Sequence, residues 1–403
     1  MKRLLLAPAL LLAAGTAPLA RGAEPTLEDL QKQIEALAAE IEAQKKPSGT
    51  SASGGGKTTL GGYGEHHFNN LDSKNQVDAH RFVLFIGHQF DEKIRLFSEL
   101  EVEHGLVKDN GDATCTVDDT LGAIPGTLEP DEVICGSSKG AGPGEVELEQ
   151  AFIEFRLTDA MRLKAGQFLI PVGFLNETHE PDTFYGVERN PIEGRIIPTT
   201  WWETGVMLSG EATGTLSYDL AFHTGLKNSK GNIRSGRQKS ANADGSEWAA
   251  TARVKFRPLE SLELAATVQQ QADMAQRGGA PGEPQEATLA NAQFSWQPLE
   301  KLNVRGLYGQ WTIDNLATAD EAAEEQNGWY VETSYRVLPK VGVFARYNLW
   351  DNAAADSNDS EVDQTDLGVN WWPHPRVVVK ADYQEQNKNQ DDDGYNLGIG
   401  WSF

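Results

Sequence analysis

The last nine residues, Tyr395-Asn396-Leu397-Gly398-Ile399-Gly400-Trp401-Ser402-Phe403, decide the fold. Tyr395, Leu397, Ile399, Trp401 and Phe403 alternate with Asn396, Gly398, Gly400 and Ser402. A period of two with one aromatic and aliphatic face and one small, polar face describes a strand between two different surroundings. If the apolar side meets lipid, the chain must supply enough further strands to close a ring, because an open sheet edge cannot face hydrocarbon.

Upstream, the same alternation recurs. From Thr58 it predicts sixteen strands, near 58–68, 79–89, 93–104, 145–157, 161–170, 201–212, 215–225, 247–257, 261–270, 287–297, 301–310, 328–337, 340–350, 364–372, 375–385 and 394–403. Short turns near Asp91, Asp159, Thr213, Leu259, Leu299, Leu338 and Pro373 alternate with long loops near 105–144, 171–200, 226–246, 271–286, 311–327 and 351–363, and shorter ones near 69–78 and 386–393. Short turns at one rim and long loops at the other, on an even number of strands, are the pattern of an all-β transmembrane barrel of about 16 antiparallel strands. A soluble sandwich shares the alternation without the one-sided loops. Mean hydropathy is −0.46, and no stretch after the first twenty residues is continuously apolar. This excludes a transmembrane helix and leaves a barrel open, since lumen residues dilute hydropathy.

Four segments organise the chain. Residues 1–22 read as a signal peptide: Lys2 and Arg3 precede the apolar run Leu4 to Ala14, and small residues follow at Ala20 and Gly22. In 23–46, Leu27, Leu30, Ile34, Leu37 and Ile41 make a short coiled-coil seam, a periplasmic helix suited to a three-helix bundle beneath a trimer or to lying on another surface. Residues 47–57 are a Gly/Ser linker, and 58–403 the barrel. Removing Lys2, Arg3 and Arg21 takes the net charge from −24 to −27, which argues against nucleic acid. Cys115 and Cys135, in one loop, are expected to form a disulfide in an oxidising compartment.

A charge at the lipid midplane costs about 2–4 kcal/mol, so the charged parity class must face the lumen. By parity Arg95, Arg156, Arg162, Lys164, Arg253, Lys255, Arg305, Arg336, Arg346 and Lys380 line the pore as an anion pathway, opposed by Glu99, Glu101, Glu154, Glu332 and Asp382. The alternative is that these cations pair with the acids and only hold the wall. Trp202, Trp248, Trp296, Trp329, Tyr330, Trp371, Trp372 and Trp401 fall at strand ends, where interfacial girdles belong. The long loop within 166–205 is expected to fold inward as a constriction. Arg189 and Arg195 would meet anions there, tempered by Glu177, Glu180, Asp182 and Glu188. Acidic runs in other loops are solvated, or bridged by divalent cations to outer-membrane lipid and lipopolysaccharide; no spacing defines a metal site, and no cofactor is expected. An enzyme is not expected: His66, His67, His179 and His223 have no serine motif beside them.

The stretches GQFLIPVGFLNE (166–177) and TFYGVERNPI (183–192), with the aromatic C-terminus, resemble the phosphate-selective porin O and P family of Gram-negative outer membranes. The resemblance covers about 58–403. It implies a sixteen-stranded porin, usually a homotrimer, in the outer membrane, passing small anionic solutes through a water-filled channel lined by arginine and lysine. Low lysine and acidic loops are a departure that keeps a general or cation-preferring porin in view. A structural or adhesive barrel with a plugged lumen is the other alternative; it needs bulky apolar lumen residues, and few are expected, such as Phe97 and Phe344.

Overall fold

The structure, a computed structural model, describes residues 56–105, 113–117, 133–137, 144–278, 282–388 and 392–403. The expected signal peptide, the 23–46 helix and nearly all of the linker lie outside these residues. In chain order the strands are β1 (Lys57–Leu71), β2 (Asn75–Gln89), β3 (Ile94–Glu103), β4 (Ala113–Val117), β5 (Val133–Ser137), β6 (Val146–Arg156), β7 (Met161–Leu169), β8 (Trp202–Thr213) and β9 (Leu216–Thr224). They continue with β10 (Trp248–Leu259), β11 (Leu262–Gln271), β12 (Ala287–Leu299), β13 (Leu302–Ile313), β14 (Glu325–Leu338), β15 (Val341–Asp351), β16 (Val362–His374), β17 (Val377–Asn387) and β18 (Gly394–Ser402). One helical turn, α1 (Ile192–Arg195), lies in the loop after β7.

Among the described residues sixteen strands form one closed barrel, each pairing antiparallel with its neighbours, β3 with β6 across the second loop. The seam joins the two ends of the barrel. β1 and β18 pair from Tyr63–Ser402 to Leu71–Gly394, and Phe403 exchanges backbone hydrogen bonds with Gly62 at 2.9 and 3.1 Å. The carboxyl-terminal aromatic thus completes the ladder, and no strand edge of the barrel is left open.

Alternation governs the faces. On β15, Val343, Ala345 and Tyr347 are exposed while Phe344, Arg346 and Asn348 are buried. β10 and β17 follow the expected parity too, with Thr251, Arg253, Lys380 and Asp382 inward. Trp248, Trp296 and Trp371 stand on the outer surface near strand ends, and Phe222 stacks on Trp248 at 5.0 Å. Tyr330 and Trp372 are a correction: they are buried on the inner side, so they belong to the packing of the lumen and not to a girdle, whereas Trp202, on the outward parity of Val206, is buried under Lys239 of the fourth loop.

Two further differences concern the loops. β1 and β2 run on past the expected ends, so the first outer loop shrinks from 69–78 to 72–74. The second loop contains the hairpin β4–β5, whose backbone register sets Cys115 opposite Cys135.

Candidate functional site: an inward-folded third loop and an arginine cluster

The third loop, residues 170–201, does not stand outside the barrel. Its base is closed by Asn176, whose amide donates to the carbonyls of Ile170 (2.7 Å) and Trp201 (2.9 Å) and accepts from the Trp201 N–H (2.6 Å). From there the chain turns inward. Ile170, Val172, Ile192, Ile196, Ile197 and Trp201 are buried with Leu289, Trp311, Ile313, Tyr330, Trp350 and Val362 of the inner wall. Each such side chain taken from water contributes about 1.5–3 kcal/mol, and this is the force that seats the loop. Apolar residues facing the lumen are therefore more numerous than the sequence suggested, because one side of the barrel is built to hold this loop.

Polar groups complete the docking. Gly173 takes a φ of +67°, which lets the chain turn tightly over Glu193. Glu193 then accepts the N–H groups of Phe174 (2.6 Å) and Leu175 (2.7 Å), the Asn190 amide (2.9 Å) and the Tyr330 hydroxyl (3.2 Å). Trp311 donates its indole N–H to the Ile196 carbonyl at 2.9 Å. Across the lumen, Lys380 donates to the Gly186 carbonyl (2.8 Å), Asn370 to that of Phe184 (3.1 Å), and Asp382 accepts the Val187 N–H (2.5 Å). Glu177 is clamped by Arg253, with Nη2 to Oε1 at 3.1 Å, and has Lys255 at 3.8 Å. Burial opposes the Glu177 charge, yet Arg253 outweighs it and holds the carboxyl down at about 2. Glu188 receives Asn69 at 2.8 Å and lies 3.3 Å from His67; burial is again overcome, and its pKa falls well below the carboxylate range.

The ten basic residues expected along the wall divide by what they touch. Arg253, Lys255 and Lys380 hold the third loop. Arg305 and Arg346 share Glu332 at 2.9 and 3.2 Å, and Arg346 also meets Asp366 at 2.9 Å. Arg336 stacks on Trp372, 3.6 Å from the ring centre. Arg95 and Arg162 share Glu154 at 2.8 and 3.7 Å, Arg156 pairs with Asp159 at 2.6 Å, and Lys164 lies over Phe152 at 4.9 Å. Pairing is thus the rule on the wall. Arg95, Arg156 and Arg162 nevertheless keep half-exposed side chains and line a cavity of about 170 Å³ at the turn end.

At the loop end the balance differs. A cavity of about 540 Å³ is lined by Arg81, Arg189, Arg195 and Arg234 together with Lys74 and the acids Glu65, Glu103, Glu188, Glu193 and Asp392. Arg189 and Arg195 come from the third loop, as expected. Arg234 and Arg237 come from the fourth loop, 225–247, and were not singled out by the sequence. Arg234 donates to the Thr199 carbonyl at 2.7 Å, and Arg237 to the carbonyls of Arg234 (3.1 Å) and Thr200, so both are held by backbone oxygens. Among the described residues none of Arg189, Arg195, Arg234 and Arg237 makes an ion pair, and Nη2 of Arg189 is buried without a hydrogen-bond acceptor. Burial, then repulsion from Arg237, Arg189 and Arg195, lowers Arg234 to about 10; burial and then Arg81 lower Arg189. They remain cationic at neutral pH, and an anion entering would relieve the repulsion.

A closed sixteen-stranded barrel with short turns, an apolar outer belt, a charged interior and a loop folded into its lumen defines a channel of the outer-membrane type. The family model described as Gram-negative porin matches residues 183–393, just over half of the chain, and the chain belongs to that family. Family and closed barrel together are those of an outer-membrane porin. An uncharacterised protein of Aquifex aeolicus is 28% identical over 382 residues, 86% of this chain and 80% of that protein. Among solved structures, the outer membrane channel DcaP of Acinetobacter baumannii superposes with a TM-score of 0.56 at 13% identity, covering 89% of this chain and 100% of that one. The anion-selective porin from Comamonas acidovorans gives 0.55 at 13% identity, over 86% and 100%. These two likenesses are likenesses of fold.

Proposed function

We propose that this porin passes small anionic solutes, phosphate among them, by passive diffusion. The observation that carries the reading is that Arg189, Arg195 and Arg234 line one cavity, with Arg237 bonded to the Arg234 carbonyl beside them, and that none of the four makes an ion pair among the described residues. Guanidinium groups suit carboxylate and phosphate oxygens through paired N–H donors. A solute would be concentrated at the loop end, pass the edge of the third loop, and leave by Arg95, Arg156 and Arg162 at the turn end. The anion selectivity of the Comamonas acidovorans porin agrees with this reading.

The test is the reversal potential of the purified protein in a planar bilayer under a KCl gradient. The expected sign is that of chloride permeation, with phosphate reducing the chloride current. Arg189→Gln combined with Arg234→Gln should move the potential toward that of potassium without changing the barrel's heat-modifiable mobility. A wild-type potential on the potassium side would overturn the anion reading, and the acids of wall and loops would then set the field.

A homotrimer is part of the proposal. His66 points outward from the middle of β1, stacked 5.7 Å from Trp401, and such a polar group is disfavoured against lipid. A neighbouring copy over the β1–β18 seam would cover it. Chemical cross-linking in detergent should end at three copies, and His66→Leu should leave the monomer's fold intact.

A further inference from the structure

A buried group of carboxylates lies where the third loop meets β3 and β6, near enough to the arginine cluster for Glu101 to act on Arg189 and Glu149 on Arg237. Glu99 and Glu101 stand on β3, Glu149 on β6 and His179 on the loop, and none is more than 3% exposed. Glu149 reaches this position through a bulge. The β3–β6 register passes from Glu99–Gln150 to Leu100–Leu148, leaving Glu149 unpaired. The extra residue lets Glu149 turn inward while the Gln150 amide still donates to Glu99 Oε2 at 2.6 Å.

His179 is aimed at this group. Its Nδ1 faces the Asn176 carbonyl at 3.3 Å, an arrangement that makes Nδ1 the N–H donor and presents Nε2 to the carboxylates. Nε2 lies 3.4 Å from Glu99 Oε1 and 3.4 Å from Glu149 Oε2, and one oxygen of each carboxylate and a ring nitrogen lie within 4.8 Å of one another. Two ligand atoms about 2.1 Å from a common ion at a tetrahedral angle stand about 3.4 Å apart.

Hydrogen bonding within the chain does not satisfy this site. Glu99 Oε1, both oxygens of Glu101, both of Glu149 and His179 Nε2 are buried without a hydrogen bond. The Tyr63 hydroxyl is in the same condition, with its ring edge-on to His179 at 5.9 Å. Arg81 offsets part of the charge, 3.4 Å from Glu101, but it is shared with Glu65 at 2.8 Å. A proton on His179 would face Glu99 Oε1 and Glu149 Oε2, and Arg81 faces Glu101 Oε1, which leaves Glu101 Oε2 and Glu149 Oε1 without a donor, whereas buried carboxylates require pairing or a metal.

We propose that Glu99, Glu149 and His179 bind a divalent transition-metal ion, Zn²⁺ by preference. The imidazole among the donors favours zinc over calcium or magnesium, which take oxygen ligands. The ion staples the third loop to the wall at the bulge, on the opposite side from its apolar seat. The nearby group of Asp78, His80 and His104 also has ligand spacing. Its atoms are already joined by hydrogen bonds of 3.0 and 2.8 Å, which makes it the weaker site.

The experiment uses the full chain without a polyhistidine tag, refolded in detergent with Zn²⁺ or with EDTA. Elemental analysis after dialysis should find about one zinc per chain, and adding Zn²⁺ to the EDTA-refolded protein should raise its melting temperature. Glu149→Gln and His179→Gln should each abolish the retained zinc and the rise, while Asp78→Asn keeps both. If wild-type protein, folded by its heat-modifiable mobility, holds neither Zn²⁺ nor Mn²⁺ and does not respond to them, the proposal is overturned and protons balance the carboxylates. Zinc lost in Asp78→Asn but kept in Glu149→Gln also overturns it.

Discussion

Glu193 supplies what a loop lacks, a fixed set of acceptors for backbone that belongs to no ladder. Its carboxylate receives two backbone N–H groups, one amide and one hydroxyl. Leaving buried donors unmatched costs about 1–3 kcal/mol each. Glu193→Ala is therefore expected to loosen the third loop while the barrel's own ladder persists. The readout is larger and noisier single-channel conductance at an unchanged barrel melting temperature. Gly173→Ala should act in the same direction, since a Cβ there would meet the Glu193 carboxylate at a positive φ. Glu177 sets a pH limit. Its folded pKa, about 2, lies below the free carboxyl value of about 4.3, so its contribution is complete above that value and is lost as the pH falls toward 2. The Glu177–Arg253 clamp should persist down to about pH 4 and open below about pH 3, read as a change in conductance in that low range that Glu177→Gln removes. Arg253→Gln should move that change up toward the ordinary carboxyl range. None of these roles could be read from the chain. An irregular loop has no period, so nothing in 166–205 distinguishes the inward Glu193 from the other acids, and nothing in 225–247 marks Arg234 and Arg237.

The elements were far more legible. Lipid on one side and polar surroundings on the other impose a period of two, and all sixteen barrel strands lie where that period places them. The signal fails where its cause fails. At 69–78 both faces are polar, so the ladder of β1 and β2 continues without alternation to report it. The bulge at Glu149 is silent for a similar reason, because one inserted residue changes parity without changing composition. Inward aromatics such as Trp372 and Tyr330 escape the girdle pattern because a strand end adjoins both the interface and the seat of the third loop. In the second loop, the opposed positions of Cys115 and Cys135 support the expected disulfide. Maleimide labelling of the native, unreduced protein should find no free thiol, and reduction should leave the barrel's melting temperature unchanged.

At the scale of the molecule, a chain of net charge −24 is proposed to favour anions, so local field must prevail over total charge. That is possible only over short distances. The screening length falls from about 10 Å in 0.1 M salt to about 3 Å in 1 M. Anion preference should therefore decline as KCl rises, and it should decline less when the loop acids, not the arginines, are neutralised. The seam between β1 and β18 has a consequence for how the chain is made. It joins Tyr63 to Ser402, partners separated by almost the whole barrel sequence. Contacts of such separation form late, after nearly all the chain's freedom has been lost. A chain cut short by even its final strand has two raw edges and no way to hide them from hydrocarbon. Closure is consequently all-or-none: the cylinder cannot seal until β18 is in place against β1.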